Sequence, residues 1–377
     1  MMYRMKLLVN AIPMVNVSTG IGRYLRCLYA EMERSFGDRL EIGYFDGFKV
    51  TKKMPGGPAN LGRWTKGVDL FWKMPVCAAL AARLAIQMMR EAIFWERSRD
   101  FDVYHEAGFF PFVNSQRLKT VFTIHDLSLI RFPQHHPRER ILYTRLFLRR
   151  RCARADHFLA VSQFTAREMR TVLGIAPERT TVTLEAHDPK IFYPRSREAI
   201  RDFLRDHALP ETYFLFAGAG DPRKNMDVIP KALERGGLNA PLVVAGWSGW
   251  SEGLASKRVV PLGFVSDEDL ARAYSGAIGM IFPSSYEGFG LPLLEAMACG
   301  CPVVTTRESS LPEVAGDAAL YMKGPRDVDD LARILRNLVD GHVSREDLVR
   351  KGLIRAGEFS WEKAARQTVE AFEAVLT

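Results

Sequence analysis

Residues 283–300 read Pro283-Ser284-Ser285-Tyr286-Glu287-Gly288-Phe289-Gly290-Leu291-Pro292-Leu293-Leu294-Glu295-Ala296-Met297-Ala298-Cys299-Gly300. Proline suits the first turn of a helix and glycine its end, so Pro292 and Gly300 bracket a helix fed by the loop 288–291. The first amides of a helix have no intrahelical acceptor, which leaves N–H groups for a ligand. Glu287 stands before the helix and Glu295 near its middle. Flanked by Leu294, Ala296 and Met297, the Glu295 carboxylate needs a partner if it is buried, and the paired hydroxyls of a ribose supply two donors. The competing reading is a surface loop followed by an ordinary amphipathic helix.

Apolar runs flank this stretch at 280–282 and 302–305, and others recur at 213–217, 241–245 and 259–262. The first half repeats the rhythm at 6–10, 40–45, 103–105, 120–124 and 157–161. Short continuous apolar runs alternating with helical patterns predict parallel sheets covered on both faces, hence two doubly wound α/β domains. The boundary is expected near residue 192, where Pro189 and Pro194 suppress helix and the charge balance changes sign. No internal repeat or low-complexity segment interrupts the pattern.

The 377 residues include 52 Lys+Arg and 44 Asp+Glu, a net charge of +8, with 47% apolar residues. That length and apolar share suit two ordinary cores and exclude disordered, collagenous and disulfide-framework classes. Residues 1–190 hold 30 Lys+Arg against 18 Asp+Glu, while 191–377 hold 22 against 26. A basic half beside an acidic half favours a local surface with its own anionic partner over nucleic acid; a solvated Arg-rich surface is the bland alternative. The five cysteines, Cys27, Cys77, Cys152, Cys299 and Cys301, are odd in number and scattered, as expected of reduced thiols in the cytoplasm, and Cys299-Gly300-Cys301 lacks a second pair at zinc spacing. The opening residues lack the h-region and cleavage site of a signal peptide, and no apolar run reaches the 18 or so residues of a membrane span. A soluble or peripheral protein is expected. Residues 51–74, with Lys52, Lys53, Arg63, Lys66 and Lys73 among Pro, Gly and Trp, read as a long basic loop.

Three further motifs carry chemistry. Thr19-Gly20-Ile21-Gly22 follows the first strand and opens a helix. Its glycines let amides approach an anion, although Leu25 stands where a dinucleotide fingerprint needs a third glycine; a plain glycine-assisted helix start remains open. His125-Asp126 sits at the carboxyl end of a predicted strand, where open sheets place ligands. His125 can donate to a sugar hydroxyl and Asp126 can orient a hydroxyl or the imidazole, against the alternative of a structurally bonded histidine. In Ala217-Gly218-Ala219-Gly220-Asp221-Pro222-Arg223-Lys224-Asn225, a planar fork and a point charge stand beside a glycine turn, a pairing suited to a diphosphate. Two cations at a helix start are unfavourable unless an anion is present.

Together, Glu287 and Glu295 spaced around Gly-Phe-Gly, Arg223-Lys224-Asn225, Thr19-Gly20-Ile21-Gly22 and His125-Asp126 resemble the retaining GT-B glycosyltransferases of family 4. Ala160-Val161-Ser162 opening a helix, Leu262-Gly263-Phe264-Val265-Ser266 before Asp267, and Phe359-Ser360-Trp361 add to the likeness. It runs from about residue 5 to 375 and is most specific in 213–320. The resemblance implies two facing Rossmann-like doubly wound parallel-sheet domains with a cleft between them: 1–191 for the acceptor, 192–357 for the donor, and a final helix, 358–377, crossing back to the first domain. It implies that Glu295 binds the ribose hydroxyls and that Glu287 faces the donor sugar. The amides of Phe289, Gly290 and Leu291 would meet sugar and phosphate, Arg223 and Lys224 beside Gly218 would hold the diphosphate, and Val265 would help seat the base. His125, beside Asp126, would touch the donor sugar, and Gly20, with Gly22, would approach the β-phosphate.

Two stretches depart from the family. Leu184-Glu185-Ala186-His187-Asp188 stands where members often carry Asn-Gly-Val-Asp, and 47–92, in a region that tends to face the acceptor, aligns with nothing. Asp327-Val328-Asp329 matches the Asp-x-Asp that holds a metal in another glycosyltransferase fold, but after Gly324-Pro325 it opens a helix, where carboxylates serve as caps. No metal and no cofactor is expected, since Arg223 and Lys224 can offset the leaving diphosphate.

The expected activity is transfer of a sugar from a nucleotide-sugar donor to a glycan or lipid-linked acceptor of a surface polysaccharide. The stretch from Thr123-Ile124-His125-Asp126-Leu127 to Phe132-Pro133 resembles mannosyltransferases of O-antigen assembly, which favours GDP-mannose. The alternatives are a UDP-sugar-dependent glucosyl or N-acetylglucosaminyl transferase, a GT-B epimerase, and a non-catalytic nucleotide-binding scaffold. Arg145, Arg149, Arg150, Arg151 and Arg154 on one predicted helix, with Trp64, Phe71 and Trp72 in the basic loop, point to peripheral contact with an anionic membrane.

Overall fold

A computed structural model describes residues 4–15, 20–56, 75–108, 110–115, 117–246 and 258–377. The chain divides into two compact units, Met1–Glu185 with Trp361–Thr377, and Ala186–Ser360. The division falls a few residues before the proline-marked boundary, and the final helix, Trp361–Ala374, belongs to the first unit.

In unit 1 the described strands are β1 (Met5–Asn10), β2 (Leu40–Phe45), β3 (Val50–Thr51), β4 (Val103–Glu106), β5 (Lys119–Ile124), β6 (His157–Ala160) and β7 (Thr180–Val182), ordered 3-2-1-4-5-6-7. All pair in parallel except β3, which runs antiparallel to β2. Unit 2 contains β8 (Phe214–Ala217), β9 (Leu242–Ala245), β10 (Val259–Gly263), β11 (Gly279–Phe282), β12 (Val303–Thr306) and β13 (Ala319–Met322), ordered 10-9-8-11-12-13 and parallel throughout. The central strands are buried along their whole length, as in Phe214-Leu215-Phe216-Ala217, which is why they read as unbroken apolar runs. In each sheet the strand order reverses once, between β1 and β4 and between β8 and β11, and open α/β sheets bind ligands outside the carboxyl ends of such a pair.

The helix Gly20–Phe36 buries Gly22, Tyr24, Leu25, Leu28, Tyr29 and Met32, one face at helical spacing. The helix Trp361–Ala374 lies along it: Trp361 meets the Tyr24 ring at 5.9 Å, Phe372 the His105 ring at 5.3 Å, and Glu373 pairs with Arg39.

Charged and polar groups also enter the unit 1 core, each with partners. Glu106, wholly buried in β4, accepts from Asn10 Nδ2 at 2.9 Å and from the Gly108 amide at 2.5 Å, with the Tyr104 hydroxyl as a further donor. His105 beside it holds the Tyr29 hydroxyl at Nδ1 (2.6 Å) and the Thr123 hydroxyl at Nε2 (2.7 Å). Burial, followed by the charge of nearby His125, pushes the His105 pKa from 6.5 down to about 3. The folded value lies below the unfolded one, so neutral His105 contributes stability above pH 6.5 that is lost as pH falls toward 3. Between pH 7 and pH 5 this loss amounts to about 2 kcal/mol. Urea unfolding at the two pH values should show a shallower acid loss in His105→Gln than in the parent, and identical slopes would exclude the effect.

Candidate functional site

At the switch point of unit 2, β8 ends at Ala217 and the chain turns through Gly218, whose φ of +145° is one that L side chains rarely adopt. A Cβ built there would lie 2.9 Å from the Lys224 ammonium. Pro222–Lys224 forms a single 3-10 turn capped by Asp221, which accepts the Arg223 amide at 3.0 Å. The Arg223 guanidinium grips the same carboxylate at 3.1 and 2.6 Å. Burial works to raise the Asp221 pKa, but the hydrogen bonds and charge of Arg223 outweigh it and hold the carboxyl below its ordinary range.

This geometry corrects the view of Arg223 and Lys224 as cations at a helix start. They occupy a separate turn ahead of the helix Val228–Arg235, and each has a protein carboxylate beside it: Asp221 for Arg223, and Glu287 Oε1 at 3.5 Å for Lys224 Nζ. The Lys224 ammonium also sits 4.8 Å from the centre of the Phe282 ring.

Asn225 locks the turn to the loop after β11. Held in the left-handed region at φ +47°, it donates from Nδ2 to the Pro283 carbonyl at 2.9 Å and to Ser285 Oγ at 2.7 Å, while the Ser285 amide donates to the Arg223 carbonyl at 2.8 Å. The ends of β8 and β11 are thereby stitched together where Lys224 and Glu287 meet. Glu287 accepts from Ser284 Oγ at 2.8 Å, and its amide donates to Ser309 Oγ at 2.9 Å. Ser310 Oγ reaches the carbonyls of Glu287 and Phe289, fixing the loop that presents Phe289, Gly290 and Leu291.

Gly290, at φ +108°, is the N-cap of the helix Leu291–Ala298, with Pro292 in its first turn and Gly300 at φ +71° beyond its end. Glu295 is 1% exposed and accepts from the Tyr274 hydroxyl at 3.3 Å. Val265 follows Gly263 at the end of β10, just ahead of Ser266, which caps the helix Asp267–Gly276. Gly218, Arg223, Lys224, Val265, Glu287 and the 289–291 loop therefore share the carboxyl side of one sheet, with Glu295 on the helix that starts there.

In unit 1, His125 and Asp126 follow β5, and Gly20 and Gly22 open the helix after β1. Thr19 lies outside the described residues. Space around Gly20 is open, whereas a Cβ on Gly22 would come within 2.7 Å of the Pro13 carbonyl, so Gly22 has a packing requirement of its own. Asp126 Oδ1 accepts the amide of Ser128, the first residue of the short helix Ser128–Arg131, at 2.8 Å. His125 Nδ1 lies 3.2 Å from Glu185 Oε1, an acid within the stretch 184–188 that departs from the family.

Asp327 caps the helix Val328–Val339 through the Asp330 amide at 2.9 Å, and Asp329 pairs with Arg235, in keeping with a capping role for that Asp-x-Asp. No group of three His, Cys, Asp or Glu residues suited to a metal occurs among the described residues.

A family model described as "Glycosyltransferase Family 4" matches residues 20–190, and one described as "Glycosyl transferases group 1" matches 200–355. O-antigen chain mannosyltransferase B of Escherichia coli is 32% identical over 391 residues, spanning 98% of this chain and 100% of the relative. Among solved structures, sucrose-phosphate synthase from Thermosynechococcus elongatus superposes with a TM-score of 0.74 at 21% identity, over 98% of this chain and 99% of that one. Anabaena Alr3699/HepE in complex with UDP-glucose superposes with a TM-score of 0.69 at 17% identity, over 98% and 100%.

Proposed function

This chain belongs to the family 4, group 1 glycosyltransferases, with the GT-B fold, and from that premise we propose that it transfers mannose from GDP-mannose, with retention, to a glycan or lipid-linked acceptor of a surface polysaccharide. The observation that carries a nucleotide-sugar donor is the cationic turn Pro222–Lys224 stitched by Asn225 to the Glu287 loop at a sheet switch point. Mannose and the polysaccharide setting rest on the full-length relative, whose name specifies O-antigen chain mannosyltransferase. For a UDP-linked donor, the likeness to HepE extends to the fold alone.

In this reading the C1–O bond to the diphosphate breaks as the acceptor oxygen attacks the same face, and the acceptor proton passes to the departing phosphate. Arg223 and Lys224 stabilise the developing charge, and no metal is required. In keeping with the family resemblance, Glu287 serves sugar hydroxyls and not as a nucleophile; its Oε1 accepts from Ser284 and lies beside Lys224. Glu295 holds the ribose, the 289–291 amides and Gly20 meet sugar and phosphate, and His125 contacts a sugar hydroxyl. Glu295→Gln and Arg223→Ala should each lower donor turnover roughly tenfold, the loss of one charged hydrogen bond. Values within twofold of the parent would remove the site assignment, and strong inhibition by EDTA would remove the metal-free reaction.

A thermal-shift panel distinguishes the donors. At a hundred times its dissociation constant a ligand adds about 2.7 kcal/mol of stability, so GDP-mannose should raise the melting temperature well beyond UDP-glucose and UDP-N-acetylglucosamine. The reverse order would overturn the choice of base and sugar.

We place the protein in the cytoplasm, consistent with its free cysteines, in peripheral contact with an anionic membrane. The helix Arg138–Cys152 exposes Arg145, Arg149 and Arg150 with Leu142 and Leu146, and Arg154 just beyond it is also exposed. Arg151 corrects the expected basic face, because it turns inward to pair with Glu91 on the helix Val76–Arg97. That neighbouring helix also exposes Ile86, Met88, Met89 and Trp95. Arg63, Trp64, Lys66, Phe71, Trp72 and Lys73 lie outside the described residues, and Lys52 pairs with Glu41. No described helix is long and apolar enough to cross a membrane. Co-sedimentation with anionic but not neutral vesicles, weakened by salt, is the expected result; binding to neither would exclude this contact.

A further inference from the structure

His125 occurs in a motif, but what holds its ring comes from elsewhere in the chain. Glu185, just beyond β7, points its carboxylate at Nδ1 from 3.2 Å, with the Glu185 side chain 6% and the His125 side chain 16% exposed. The ring plane is fixed from another side by Tyr24, whose own ring stands edge-on to the imidazole at 4.8 Å and 86°. Thr165 Oγ1 donates to the His125 carbonyl at 3.4 Å, tying down the backbone. The second ring nitrogen, Nε2, is buried and has no hydrogen-bond partner among the described residues.

A carboxylate can only accept, so the hydrogen lies on Nδ1 and a neutral ring keeps a lone pair on Nε2. Glu185 thus selects one tautomer, and Tyr24 together with the carboxylate fixes the direction of the free nitrogen. An enclosed ring nitrogen without a protein partner is costly unless a ligand group meets it. We propose that Glu185 is the positioning residue of His125, holding Nδ1–H so that Nε2 is a fixed acceptor for a sugar hydroxyl of the substrate. This rests on the glycosyltransferase reading for the identity of the hydroxyl, but not for the tautomer. Among the described residues, the charged and titratable groups shown near the ring include Glu185, the neighbouring Asp126, His105 on β4 and Tyr24 on the helix Gly20–Phe36. Of these, Glu185 is the acid shown within reach of Nδ1. The departure from Asn-Gly-Val-Asp at 184–188 gains a physical meaning, since the acid it introduces holds the imidazole.

The test combines NMR of protein labelled with 15N in histidine and steady-state kinetics on the full chain, with Glu185→Leu removing the acceptor and Glu185→Gln retaining one oxygen. The parent should show His125 hydrogen on Nδ1. Glu185→Leu should lose that signature and drop kcat about tenfold or more, with donor affinity within twofold. Glu185→Gln should restore both in part. A Glu185→Leu protein that keeps hydrogen on Nδ1, or one that loses it with kcat unchanged, overturns the positioning role. His125→Ala separates this from the functional reading: if His125→Ala is as active as the parent, the sugar contact falls, while the NMR signature still decides whether Glu185 selects the tautomer. If Glu185→Leu unfolds, the Glu185→Gln spectrum and rate decide the matter, and parent-like values in both support acceptance by the remaining oxygen only if Glu185→Asp, whose shorter side chain cannot reach, loses them.

Discussion

Lys224→Ala should lower kcat/KM for the nucleotide sugar about a hundredfold. The ammonium stands at the junction of two loops, 3.5 Å from Glu287 and 4.8 Å from the Phe282 ring centre, with its side chain 16% exposed. In such a recess a charge is weakly screened, and a charge-assisted hydrogen bond to a phosphate oxygen contributes roughly 1.5–3 kcal/mol. Removal also leaves Glu287 without its cation, although Ser284 still donates to it, so the carboxylate repels the departing phosphate. Both changes act more strongly as charge develops than in the ground state, so most of the loss should appear in kcat. Lys224→Arg should recover only part of it. A Cβ at Gly218 would already touch the ammonium at 2.9 Å, and a planar fork needs more room than a point charge. Steady-state rates at varied donor concentration decide the matter. A Lys224→Ala enzyme within threefold of the parent would mean that the turn is not where the diphosphate sits.

The parts of this site legible in the sequence are those whose chemistry is local. Gly290, Pro292 and Gly300 bracket their helix because backbone rules act over a few residues, and Ser162, Ser266 and Asp327 cap helices for the same reason. Central strands were legible because burial on both faces leaves an unbroken apolar run. The strands β3, β7 and β13 were not, since Val50–Thr51 and Thr180–Val182 are short and half-buried and Ala319–Met322 is buried only at its two ends. Strand β4 runs one residue further than expected because Glu106, which looks like a terminator, is paid for by three hydrogen-bond donors that arrive from β1, β4 itself and the following loop. Glu185 escaped for the same kind of reason. It acts on a residue 60 positions away, and the available signal was an acid between Leu184 and Ala186 in the stretch that departs from Asn-Gly-Val-Asp. The Asp126 contact with Ser128 was legible, because an aspartate two residues ahead is the spacing of a side chain that accepts a nearby amide. The inward turn of Arg151 was not, since it depends on Glu91 in another helix.

Gly246→Ala should destabilise the protein by about 3 kcal/mol and reduce donor turnover with it. Three strand ends meet at this residue: the Gly218 amide donates to the Ala245 carbonyl at 2.9 Å, and the Gly246 amide to the Gly263 carbonyl at 2.8 Å. Gly246 adopts φ +119°, and a Cβ built on it falls 2.3 Å from the Gly218 carbonyl oxygen, a backbone atom that no rotamer change can move. Relief requires displacing Gly218, and Gly218 packs against Lys224, so the strain propagates to the cationic turn. For a unit of this size 3 kcal/mol corresponds to a fall of roughly 6–12 °C in melting temperature. Gly174→Ala is the internal control. Gly174 also has positive φ, at +69°, but a Cβ there meets nothing within 4 Å, so only the left-handed backbone penalty of about 1 kcal/mol applies. Calorimetry should therefore rank Gly246→Ala well below Gly174→Ala, with activity lost in the first and kept in the second. Equal losses in both would assign the effect to backbone conformation alone and remove the close approach of Gly218 as the reason for glycine at 246.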